Sequence, residues 1–344
     1  MLGGKIVLSK LENDNISLKE VYKDYFPIGA AIAASDLEDE GQREILLKHF
    51  NSITPENSLK FAIIHPEEDE YAFDDGDKIV NFAAENRMMV RGHTFVWHNQ
   101  VPEWLFKDES GEAVSKEILV ERLKAHINTL CRRYNDKIYA WDVVNEAVED
   151  KSDFLYRDSQ WYKIIGEEYL DLSFKIARQA SQNAVLFYND YNNEKPEKLH
   201  KSYKLLKSMI DRGVPIDGIG IQGHWDIHDR DLFDNLKAAI ELYASLGVKI
   251  QITELDVSMF SFDDKTRSIL KPTDEMIEQQ SKVYKKLFEI FRYYKEVISG
   301  VTFWGISDKH TWKDNFPVKD RKDWPLLFDV DGRPKSAFYS IIDF

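Results

Sequence analysis

The chain has 344 residues, 43% of them hydrophobic, enough to bury a sizeable core as one large α/β domain or as two small ones. Its net charge of −14 excludes a nucleic-acid partner, whose phosphates would have to be neutralised by Lys and Arg. The one cysteine, Cys131, excludes an intramolecular disulfide and reads as a buried core thiol, and no window is apolar for long enough to span a membrane.

Residues 1–25, mixed and polar, read as a helical lead-in closing one end of the fold. The first twenty carry no uninterrupted apolar run of the signal-peptide kind, so the expected location is the cytoplasm, or outside the cell if a leader has been trimmed away. Residues 26–33 predict a strand of small residues, with Ser35 or Asp36 capping a helix whose stripe is Leu37, Ile45, Leu46 and Phe50. A second strand, 50–54, runs into Pro55-Glu56-Asn57-Ser58-Leu59-Lys60, and a third with its loop covers 88–98. Ser115 caps a helix with Leu119, Leu123, Ile127, Leu130 and Tyr134 at helical spacing, leading to the strand Trp141-Asp142-Val143-Val144-Asn145-Glu146. A helix over 161–182 and a strand over 185–188 follow; the next helix stops at Gly213 with Pro215 beyond it. Strand 217–222, a helix from Leu232 to Gly247, strand 248–256, a helix over 274–296 and strand 300–304 complete the alternation.

Eight strand-helix alternations without a linker or low-complexity break imply an α/β fold, a (β/α)₈ TIM barrel in a single domain over 1–344. Function in such a barrel sits at the C-terminal strand ends, where this chain places its polar and aromatic oddities. Glu146 and Glu254 each end a β-branched run, and two carboxylates on one rim are what glycoside hydrolysis requires. One must carry a proton for the leaving oxygen while the other stays ionised, a separation made by environment. Glu254 has a donor candidate in His224, with Asp256 in support. Glu146 is expected among apolar residues beside Asn145, whose amide suits a sugar 2-hydroxyl. These settings make Glu146 the acid/base and Glu254 the nucleophile. Trp97, Trp304 and Trp312 suit the apolar faces of pyranose rings, and Tyr191 suits a neighbouring ring. Trp141 and Trp161 read as barrel filling. No H-E-x-x-H helix surrounds His93 and His98, so neither metal nor cofactor is expected. His49, His65, His126 and His200 read as ordinary helix or surface residues, and His228 and His310 fall in rim loops.

The motifs Gly92-His93-Thr94-Phe95-Val96-Trp97-His98, Trp141 to Glu146, Gln222-Gly223-His224 and Ile252-Thr253-Glu254-Leu255-Asp256 resemble, in order, those of glycoside hydrolase family 10 xylanases. Glu56 to Lys60, Phe303-Trp304-Gly305 and Pro325 to Asp329 extend the likeness over nearly the whole chain. The resemblance implies a retaining endo-1,4-β-xylanase acting on xylan or xylo-oligosaccharides, with the two glutamates in the roles just given. It places Asn57, Lys60, His93, Trp97, Asn145, Gln222, His224, Trp304 and Trp312 around the glycone sugars, and Asn189 and Tyr191 toward the leaving group. Lys309-His310-Thr311-Trp312 departs from the family, which often has tyrosine and serine at the second and third positions. With no leader seen in these residues, the expectation is a likeness to the intracellular group. The rival readings are another two-glutamate barrel glycosidase (a cellulase or β-xylosidase), a carbohydrate-binding protein without catalysis, and a metal-dependent barrel hydrolase.

Overall fold

The computed structural model describes residues 16–151 and 153–344. Its strands, in chain order, are β1 (Ile28–Ile32), β2 (Ser52–Pro55), β3 (Met89–Val96), β4 (Ala140–Asn145), β5 (Val185–Asp190), β6 (Gly218–Ile221), β7 (His224–Asp226), β8 (Lys249–Ser258) and β9 (Ile298–Phe303). All pair in parallel, and the sheet closes because β1 lies against β9 (Ile28 opposite Val301) and β6 against β8 (Gly218 opposite Lys249). The result is a (β/α)₈ barrel of eight strands, with β7 a short extra strand beside β8. Strands covered by helices outside and side chains inside are buried on both faces, which is why they read as largely apolar runs.

The barrel interior is not wholly apolar. Arg91 on β3 makes two ion-paired hydrogen bonds to Asp142 on β4 and gives its Nε to Gln251 Oε1 on β8 at 3.0 Å. Its guanidinium lies 5.0 Å from the Phe187 ring on β5. Outside the barrel, Trp141 packs so closely on β3 that a Cβ at Gly92 would come within 2.2 Å of its ring. Pairing between β3 and β4 slips between His93 and Val96, and between β4 and β5 from Asp142 to Val144. Such irregularities bend strands and re-aim side chains, and these two lie directly below Glu146.

Several element expectations need correction. The first full helix, Glu40–His49, is capped by Asp39 accepting from the Gln42 N–H, and Asp36 instead binds the Ala33 N–H. Two helices not foreseen, Phe61–Ile64 and Asp74–Glu85, lie between β2 and β3. The helix expected over 161–182 is two, Gln160–Ile165 and Glu168–Ala180, separated at Gly166, whose φ of +81° breaks helical geometry. A last helix, Ser336–Ile342, packs on Asp274–Tyr293. Of the lead-in, residues 1–15 lie outside the described residues, and the remainder supplies one turn, Leu18–Val21. Among the described residues, no helix is long and apolar enough to cross a membrane.

Candidate active site

Glu146 and Glu254 come together on the C-terminal rim through an unbroken chain of side-chain contacts. Glu146 follows β4 with φ +57° and gives its N–H to the Asn189 oxygen at 2.9 Å. Its carboxylate accepts from Trp97 Nε1 at 2.8 Å, Gln222 Nε2 at 3.0 Å and Asn145 Nδ2 at 3.3 Å. The apolar setting expected for Glu146 is therefore wrong: three N–H groups converge on it. Glu254, within β8, accepts from Asn189 Nδ2 at 2.8 Å on Oε1 and from His224 Nε2 at 3.1 Å on Oε2. Thr253 Oγ1 donates to Asn189 Oδ1 at 2.6 Å, which turns the amide so that its nitrogen faces Glu254. The two asparagine amides, Asn145 and Asn189, meet at 2.9 Å and so link the glutamates.

The other nitrogen of His224 meets Asp256 Oδ2 at 2.9 Å. An imidazole with a carboxylate on each side donates from both nitrogens only as the cation. Burial opposes that charge, but Asp256 and Glu254 outweigh it and raise the pKa to about 9. Burial likewise tends to raise the Glu254 pKa, yet the His224 hydrogen bond and the charges of His93 and His224 hold it below the usual carboxylate value. Asp256 is anchored by Trp312 Nε1 at 2.8 Å, with Lys313 Nζ 3.5 Å from its second oxygen. His224 thus sets a charged partner against Glu254, while the less buried Glu146 faces neutral donors.

Asn57 and Lys60 flank the same cleft. Lys60 Nζ donates to Asn57 Oδ1 at 2.9 Å and lies 5.0 Å from the centre of the Trp97 ring. Burial lowers the Lys60 pKa, while Glu254, Glu56 and Glu146 pull the other way. His93 is fixed through Nδ1 to Asp142 Oδ2 at 2.8 Å and sets its ring edge-on to Trp304 at 5.4 Å. Trp312 lies 4.7 Å from the His224 ring. Beside these tryptophans opens a cavity of about 390 Å³, also lined by Glu56, Asp36 and His310. Two carboxylates in unlike surroundings, walled by indoles and planar amides, can cleave a bond between sugars.

The family model for glycosyl hydrolase family 10 matches residues 17–344. The chain belongs to glycosyl hydrolase family 10. It is 61% identical, over 98% of its own length and 99% of the relative's, to endo-1,4-beta-xylanase A of Caldicellulosiruptor saccharolyticus. It is 48% identical to an endo-1,4-beta-xylanase of Geobacillus stearothermophilus, over 95% of this chain and 98% of that one. The crystal structure of an endo-1,4-beta-xylanase from Caldicellulosiruptor owensensis superposes with a TM-score of 0.94 at 62% identity, covering 95% and 99% of the two chains.

On the opposite side of Glu146, this family 10 barrel carries Tyr191. Its hydroxyl donates to Asp150 and accepts from Arg157 Nη2 at 2.8 Å, and Lys198 Nζ lies 3.7 Å from the centre of its ring. Arg157, Asp150 and Lys198 escaped the sequence reading, as did Arg91 and Asp142. For the last two a signal existed, since a charged residue inside an apolar strand must find a partner within the barrel. Among the described residues, no group of three or more His, Cys, Asp or Glu side chains is arranged to hold a metal ion. Trp141, Trp161 and Cys131 are buried in the core as expected, and burial raises the Cys131 pKa to about 12. His49, His65 and His126, expected to be ordinary, are all buried.

Proposed function

We propose that this chain is an endo-1,4-β-xylanase, hydrolysing internal β-1,4-xylosidic bonds of xylan and xylo-oligosaccharides with net retention. The observation that carries the reading is the setting of Glu254, buried yet held anionic between the Asn189 amide and the His224 cation. Relatives similar over nearly their full length bear the name endo-1,4-beta-xylanase. A structure 59% identical to this chain, with a TM-score of 0.94, is a glutamate-to-alanine mutant in complex with xylotriose.

In this reading Glu254 attacks the anomeric carbon while Glu146 gives its proton to the oxygen of the departing sugar. The C–O bond breaks, leaving a glycosyl ester on Glu254 and a free sugar alcohol. Glu146, now a carboxylate, takes a proton from water as that oxygen attacks the same carbon. The ester opens, Glu254 departs as a carboxylate, and Glu146 is again protonated. The same reading gives Asn145 and Gln222, whose amides meet Glu146, the sugar between the glutamates, and Asn57 with Lys60 the sugar beyond it.

Two inversions restore the starting configuration, so proton NMR of the first product is expected to show the β-anomer accumulating before mutarotation. An α-anomer appearing first would remove the covalent step. Cellulose hydrolysed as fast as xylan would overturn the substrate.

A further inference from the structure

The loop that leaves β4 returns to the site at Arg157, whose side chain touches two parts of the machinery at once. Its Nε donates to the main-chain oxygen of Glu146 at 2.8 Å, and its Nη2 donates to the Tyr191 hydroxyl at 2.8 Å. The same Nη2 lies 3.4 Å from the Val148 oxygen and 3.5 Å from Asp150 Oδ2. Beneath the Tyr191 ring, Lys198 Nζ binds Asp150 at 2.9 Å and Asp190 at 2.8 Å. The leaving-side platform is thus a network of two cations and two carboxylates, and Arg157 is the member that reaches Glu146.

Glu146 has need of such a partner. A non-glycine residue at φ +57° persists where its surroundings over-determine it. Asn189 holds its N–H at 2.9 Å, and Arg157 holds its carbonyl from the other side. The guanidinium is itself delivered by a closed loop, because the Arg157 N–H returns to the Ala147 oxygen at 2.8 Å and Val148 bridges to Tyr156. A rigid fork of donors spans both contacts, which a lysine ammonium does not.

We propose that Arg157 is a positioning residue that ties Tyr191 to the backbone of Glu146, so that a sugar seated on Tyr191 sets the Glu146 carboxyl for proton transfer. Glu146 as the acid/base is the premise. A departing sugar needs the proton and the alignment; a departing dinitrophenolate needs neither.

The test measures Arg157→Met, Arg157→Lys, Tyr191→Phe and the Arg157→Lys/Tyr191→Phe double variant on xylotetraose and on dinitrophenyl xylobioside. For Arg157→Met, kcat on xylotetraose is expected to fall up to about 100-fold, the scale of a misplaced catalytic group, with the burst rate on the aryl substrate largely kept. Tyr191→Phe is expected to cost less on xylotetraose in the Arg157→Lys background than alone, because the two changes cut one link. Equal losses on both substrates, or additive losses in the cycle, overturn the coupling. Should Arg157→Met fail to fold by near-UV circular dichroism, the Arg157→Lys cycle decides alone. Glu146→Ala, run alongside, separates the premise. If it also hits both substrates equally, the acid/base assignment falls and the coupling with it. If it spares the aryl substrate while the Arg157 series does not, only the coupling falls.

Discussion

His224 governs the electrostatics of the catalytic pair because carboxylates face both its nitrogens, Glu254 at 3.1 Å and Asp256 at 2.9 Å. With a pKa of about 9, it stays charged through neutral pH and keeps Glu254 ionised. Removing a positive partner favours the protonated carboxyl, so in His224→Gln the nucleophile titrates at higher pH than in the parent. The acid limb of kcat/KM on an activated aryl xylobioside, which needs little help from Glu146, is therefore expected to move up by about one unit or more. A superimposable profile would remove His224 from control of Glu254. The sequence placed His224, Glu254, Asp256 and Trp312 on one rim, since each follows a strand-like run. It did not give the donors around Glu146, because Trp97, Gln222 and Asn145 converge there only once barrel closure brings the ends of β3, β4 and β6 to one rim. Nor did it reveal Arg157, which lies in a polar loop with no periodicity to mark it.

Among the elements, the segment that carries Asn57 and Lys60 is fastened by histidines. The short helix Phe61–Ile64 begins at Lys60 and ends at His65, whose Nδ1 meets Nδ1 of His126, on helix Lys116–Tyr134, at 3.1 Å. Phe61 stacks on His126 at 3.7 Å and Tyr71 on His65 at 3.8 Å. A nitrogen-to-nitrogen hydrogen bond needs one acceptor, so at least one ring is neutral, and burial lowers the pKa of both. The unfolded chain binds protons near pH 6.5 that the folded pair refuses, so stability is intact above that value and is lost as pH falls below it. The melting temperature is expected to drop between pH 7.5 and pH 5, and to drop less in His126→Phe, which keeps a stacked ring but does not titrate. Equal drops would place the acid sensitivity elsewhere, as at His49, whose burial lowers its pKa to about 3. The barrel strands were legible because parallel strands under helices are largely apolar, and helix Lys116–Tyr134 because Ser115 caps a regular stripe. Helix Asp74–Glu85 was not, since it opens Asp74-Asp75-Gly76-Asp77 without a side-chain cap and looks like a loop. At three residues, β7 is too short for any period to show.

For the molecule as a whole, closure has a thermodynamic consequence. Every barrel strand has a barrel neighbour on each side, so releasing one breaks at least two ladders, and among the described residues the barrel has no open edge from which to fray. The two ends of the described chain are also joined. The Tyr22 hydroxyl donates to the Ile341 oxygen and accepts from Arg292 Nη1 at 2.9 Å, while the Phe344 ring lies 5.6 Å from Tyr22 and 3.8 Å from the Arg292 guanidinium. Helix Ser336–Ile342 buries Ile341, and Phe338 against the rings of His49 and Phe328, each worth about 1.5–3 kcal/mol when fully removed from water. We therefore expect one cooperative unit. Calorimetric and van't Hoff enthalpies are expected to agree, and the transitions seen by tryptophan fluorescence and by far-ultraviolet circular dichroism to coincide. Deleting residues 336–344 strips both the Ile341 acceptor and the Phe344 ring from Tyr22 and uncovers the helix Asp274–Tyr293 beneath. That variant is expected to melt as a single transition at a clearly lower temperature, with its loss of stability of the order of the 3–6 kcal/mol that the two side chains supply. Two resolved transitions in the intact chain would divide the barrel into separate units. An unchanged melting temperature in the shortened one would show that the barrel closes without help from its terminal clasp.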